Sequence, residues 1–180
     1  IRMRARTKFE FITSEDLKAV LHTEIGDANW GNGAGAFGTD GIGIEVKELY
    51  VDFNWPDTDV NIKAGLMGVA LPSNFGSPVL DDDFATLNIT VPFNDMFTMV
   101  AGFARFRDDQ SNTANNGYDA DGGILEEDEF DALYLVGVIS GDGFTIQPYF
   151  VFAWLGADAD YVANNNANAR TDEIVNPWWL

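Results

Sequence analysis

Alternation at every second residue constrains this chain more than any other feature. In IRMRARTKFEF, Arg2, Arg4, Arg6 and Lys8 occupy alternate positions, with Met3, Ala5, Thr7, Phe9 and Phe11 between and after them. Successive side chains of a β-strand point to opposite faces, so this spacing predicts a strand with one cationic face and one mostly apolar face. The period recurs along the chain and predicts strands over about 2–12, 18–27, 44–55, 60–68, 84–91, 96–106, 131–139 and 144–155. In the second, Lys18, His22 and Glu24 oppose Ala19, Leu21 and Ile25. In the third, Glu48, Tyr50, Asp52 and Asn54 oppose Leu49, Val51, Phe53 and Trp55. The fourth sets Asn61, Lys63 and Gly65 against Val60, Ile62, Ala64 and Leu66, and the fifth sets Thr86, Asn88 and Thr90 against Leu87, Ile89 and Val91. The sixth and seventh are apolar on both sides, so alternation does not assign their faces. Pro148 sits on the apolar face of the eighth, where a central strand would lack a ladder hydrogen bond.

The expected fold class is therefore all-β and antiparallel. Connections alternate in length: TSED, PDTD, PFND and SGDG are tight turns, and the intervening ones are long and rich in Gly, Asn and Asp. The segment DEFDALYLVGVI reads as a strand, because its apolar and β-branched run follows an acidic loop. No run is long enough for a spanning helix, but barrel strands need only about 9–11 residues.

Charge excludes some functions. The chain has 10 Lys plus Arg against 29 Asp plus Glu, a net charge of -19, which argues against nucleic acid as a partner. There is no cysteine, so nothing depends on disulfides or thiol chemistry, and His22 is the single histidine. A multi-histidine metal site or a histidine-based hydrolase is not expected. Carboxylates are abundant, but no pair stands isolated in a legible aromatic groove, so an enzyme is not expected either. DADGGILEEDE fails the EF-hand spacing, although acidic external loops could bind Ca or Mg weakly. NWGNGAGAFGTDG lacks the lysine and helix of a phosphate loop.

The runs RMRARTKFEF, EIGDANWG and ELYVDFNWPDTDVNIKAGLMGVALPSNFGSPVLDDDFA resemble the outer-membrane porins of Gram-negative bacteria, and among them the homotrimeric porins of sulfate-reducing bacteria. Aromatics near strand ends, such as Phe53 and Trp55, suit an interfacial girdle. The resemblance implies a transmembrane β-barrel. Residues 1–180 would form a single partial barrel domain of about eight strands, roughly half of a sixteen-strand barrel. The chain begins inside a strand pattern and stops at NPWWL, where another strand starts, which implies an internal portion of a longer polypeptide. The implied function is passive diffusion of small hydrophilic solutes and ions across the outer membrane, with lipid and two identical subunits as partners. The connection at 68–83 would fold into the lumen. Arg2, Arg4, Arg6 and Lys8, about 6.6 Å apart, would form a cationic wall with Lys18 and Lys63. Asp81, Asp82 and Asp83 would oppose them across the pore, with Glu24, Glu48 and Asp52 as further acidic lining. Arg105 and Arg107 would be wall residues or mark the lip of the next loop, and His22 a polar residue facing the lumen.

Alternation alone describes any half-buried antiparallel sheet equally well. A soluble or secreted all-β binding domain with acidic, Ca-supported loops is the alternative. There the cation ladder faces water and pairs with acids on neighbouring strands.

Overall fold

The computed structural model describes residues 1–33, 38, 43–71, 79–107, 129–155 and 178–179. They form β1 (Arg2–Ile12), β2 (Leu17–Asn29), β3 (Glu45–Asn54), β4 (Asn61–Leu71), β5 (Leu80–Asn94), β6 (Phe97–Arg107), β7 (Phe130–Gly141), β8 (Phe144–Ile146), β9 (Tyr149–Leu155) and β10 (Trp178–Trp179). The ladders are antiparallel, and the strand order is β1-β2-β3-β4-β5-β6-β7-β9-β10, with β8 paired to β7. The expected eighth strand is split at Gln147 and Pro148, as a residue without an N–H requires.

This order has two ends. Among the described residues no ladder joins β1 to β9 or β10, so the sheet is open. That overturns the transmembrane barrel and, with it, the half of a sixteen-strand porin. A diffusion channel needs a lumen, and a lumen needs closure. An open edge leaves backbone N–H and C=O groups unpaired, and hydrocarbon cannot satisfy them, at several kcal/mol each. The outer-membrane location, the lipid contact, the homotrimer of identical subunits and the passage of small polar solutes fall with the barrel. The acids expected to project across a pore from a loop are strand residues instead. β4 ends at Leu71 and β5 starts at Leu80, so Asp81, Asp82 and Asp83 lie in β5. Residues 72–78, the middle of the expected loop, lie outside the described residues, as do most of the Gly-rich loop and all of the acidic DADGGILEEDE loop but Glu129.

The chain divides into two compact units, Ile1–Phe84 and Ala85–Leu180. In the first, tight turns hold the hairpins. At TSED, Thr13 and Ser14 N–H donate to the Leu17 carbonyl at 3.0 and 3.2 Å. At PDTD, Asp57 adopts φ 59°, which aspartate tolerates, and the Thr58 hydroxyl donates to the Trp55 carbonyl at 2.9 Å. Burial follows charge pairing here. Glu24 and Asp52 are buried on the polar side, whereas Phe9, Phe11, Leu49 and Val51 are exposed on the other.

In the second unit the turn expected at PFND, residues 92–95, falls two residues later, over 94–97. β5 continues through Asn94, whose Oδ1 accepts the Met96 and Phe97 N–H groups, each at 2.9 Å. The structure also resolves the two strands whose facing alternation left open. Ala104, Ala132, Tyr134 and Val136 are buried, and Leu133 and Leu135 are exposed. Gly102 pairs with Asn88 on one side and Tyr134 on the other. The Tyr134 ring lies where a Gly102 side chain would be, and its hydroxyl donates to Asn88 Oδ1.

Burial pushes the Tyr134 phenol up to about 12. An unfolded tyrosine ionises near 10. The stabilisation is therefore complete below about pH 10 and is lost as pH rises from there towards the folded value. Tyr134→Phe is expected to flatten this alkaline loss, and urea midpoints of both proteins between about pH 9 and 11.5 measure it. An equal slope in the two would show that Tyr134 ionises like an exposed phenol.

Candidate binding site on the charged face

The first unit's polar face is a lattice of cross-strand rows. Register places Lys8 opposite His22 and His22 opposite Glu48. It places Lys18 opposite Asp52, and Asp52 opposite Lys63. Opposite charges at such positions attract directly. Arg4 Nε lies 3.1 Å from Glu24 Oε1, and Arg6 Nε lies 2.5 Å from Oε2. Glu48 Oε2 is buried, 3.0 Å from Lys8 Nζ, with which it forms an ion pair, and 3.2 Å from His22 Nδ1. The Glu48 carboxylate holds the Lys8 ammonium above its ordinary pKa, against a smaller opposing effect of burial. Asp52 Oδ2 lies 3.5 Å from Lys18 Nζ and 3.6 Å from Lys63 Nζ, and its Oδ1 accepts from Asn61 Nδ2 at 2.6 Å. The carboxylates sit low in the face and the cations cover them, with Glu24 9% exposed and Arg6 50%.

One residue that alternation misses completes the site. Register shifts between His22 and Thr23, which face Glu48 and Val46, so Lys47 is the extra residue of a β-bulge. A bulge re-aims its side chain. Lys47 Nζ lies 3.3 Å from Glu45 Oε1 and contacts Asp83 Oδ2. Asp83 is the chief cause of its raised pKa, and burial opposes that rise. The one sequence signal was the charged dipeptide Lys47-Glu48, which breaks the period in an otherwise alternating strand.

The bulge borders a cleft of about 490 Å³. Its cations are Arg6 and Lys47, and its acids are Glu48, Asp81, Asp82 and Asp83, with His22 and Gly68 to Ala70 completing the lining. Asp82 Oδ1 accepts the Asp83 N–H at 2.8 Å. Among the described residues, no group of three or more His, Cys, Asp or Glu is placed to hold a metal ion. Of the residues singled out by sequence, Arg6, His22, Glu48, Asp81, Asp82 and Asp83 meet in this cleft. Lys18 and Asp52 line a separate depression of about 390 Å³ near the TSED turn, with Lys63 beside Asp52. Arg2 and Arg4 lie in the exposed N-terminal half of β1. The cations Arg4, Arg6, Lys8, Lys18 and Lys63 are thus direct neighbours of Glu24, Glu48 and Asp52 on one sheet face.

No family model and no curated protein matches this chain. The porin resemblance has no family behind it, and the open sheet removes its structural basis. No helix among the described residues is long and apolar enough to cross a membrane.

Proposed function

We propose that the chain is a non-catalytic all-β binding domain, working in water, whose charged face holds a small ligand bearing both charge signs. The observation that carries this reading is the mixed-charge cleft around Lys47. Its volume of about 490 Å³ falls in the range of small-molecule sites. Its Arg6 and Lys47 side suits a carboxylate or other anion, and its Asp81 and Asp82 side suits an ammonium group. The open edge of the sheet supports an aqueous setting, because water satisfies the edge groups and lipid does not.

A titration of the isotope-labelled chain with 4-aminobutyrate, butyrate and butylamine tests this, since the three differ in charge and little in length. The zwitterion is expected to shift the amides of Lys47, Glu48 and Asp83 and to saturate in the millimolar range, around 4 kcal/mol of binding. Each single-charge analogue is expected to bind about tenfold more weakly. Lys47→Met is expected to abolish the preference while changing stability by less than about 1 kcal/mol, because the ion pair it removes is partly exposed. Equal responses to all three compounds, or none, would contradict the proposal.

A further inference from the structure

The geometry points to the outer edge of β1 as a docking edge for an extended acidic segment of another polypeptide, which would add to the sheet as one more strand. β1 has 11 residues, and on its inner side Ala5 to Ile12 pair with Ile25 to Lys18 without interruption. Among the described residues no strand pairs with its outer side. At about 3.3 Å per residue that edge is a template some 36 Å long, with N–H and C=O groups directed outward at alternate residues.

Sheet edges are usually blunted by proline, by shortness, by a bulge or by charge. β1 contains no proline, and its register shift is confined to Met3 and Ala5. What guards it is the ladder Arg2, Arg4, Arg6 and Lys8. A like-charged ladder repels a cationic strand and attracts one that places acids at the matching positions. The chain already satisfies the ladder this way from the inner side. Glu24 of β2 meets Arg4 and Arg6, and Glu48 of β3 meets Lys8 across His22. The side chains of Arg4, Arg6 and Lys8 nevertheless stay 44%, 50% and 43% exposed, with room for a second acid on the outer side. On the opposite face Phe9 and Phe11 stack with centroids 6.4 Å apart and are exposed. An incoming strand whose other residues are apolar would cover them. The partner chemistry is therefore an extended segment alternating acid and apolar residues, bound by strand addition.

The test uses the full chain and two dye-labelled peptides of eight residues and equal composition, one alternating Glu with Val and one with the four Glu in a block. The alternating peptide is expected to bind roughly tenfold more tightly, the effect of two or three cross-strand charge pairs. It is also expected to slow hydrogen exchange at every second amide of β1. A peptide alternating Lys with Val is expected not to bind, and Lys8→Glu is expected to weaken the acidic peptide and admit the basic one. Equal binding of the two acidic peptides, or binding that leaves β1 exchange unchanged, would overturn the proposal without any variant. Dimerisation of the chain alone through β1 would also overturn it, by assigning the edge to a second copy.

Discussion

Replacing Arg105 with methionine is expected to destabilise the protein by about 3 kcal/mol or more. Arg105 of β6 faces Asp131 of β7 in register, with Nε 2.9 Å from Oδ1 and Nη2 3.0 Å from Oδ2. The fork is bidentate, but the two ends are buried unequally. The Asp131 side chain is 6% exposed and that of Arg105 37%. Removing the arginine strands a buried carboxylate, and that penalty exceeds the net worth of the pair. Asp131→Asn is expected to cost only about 1–2 kcal/mol, because Arg105 keeps access to water and lies 3.9 Å from Glu129. Urea unfolding of the two variants measures the asymmetry. A larger loss from Asp131→Asn would mean that water reaches the carboxylate.

Gly65→Ala is expected to cost a similar amount for a different reason. Gly65 pairs with Tyr50 in the middle of β4 and adopts φ +136°, a conformation other residues rarely take. A Cβ there would also overlap the Leu49 carbonyl oxygen and the Tyr50 Cα, which are backbone atoms that a rotamer change cannot move. Dihedral strain alone is about 1–3 kcal/mol, and the overlap adds to it. Gly102→Ala is the useful comparison. Its Cβ would meet the Tyr134 ring, a side chain that can turn away at the expense of its bond to Asn88. A Gly65→Ala protein with an unchanged urea midpoint would show that β4 and β3 can separate there without loss.

Much of this fold was legible in the sequence. Alternation located the eight long strand segments and the two faces of the first five, because period two is a local property of the strand. Pro148 marked the break between β8 and β9. The polar-side clusters were legible too: Lys18, Asp52 and Lys63 lie on one face because their parities agree with the register. Three things were not. Lys47 reaches the site through a bulge, and one inserted residue reverses parity without changing composition. Asp81, Asp82 and Asp83 read as a loop because three consecutive acids carry no period, yet β5 runs through them. Closure was the third. Two unlike faces are required of an open sheet and a barrel alike, and nothing in residues such as Arg2 to Phe11 distinguishes a wet lumen from a wet surface.

Amide hydrogen exchange along β1, measured in buffer without detergent or peptide, tests the open sheet most directly. With one side paired to β2 and the other, among the described residues, to no strand, alternate amides of Ala5 to Ile12 are expected to exchange fast while their neighbours, and both sets in β2 and β3, are protected. Uniform protection at every residue of β1 would mean that its outer edge is paired, and would contradict the open sheet on which the binding-domain reading rests.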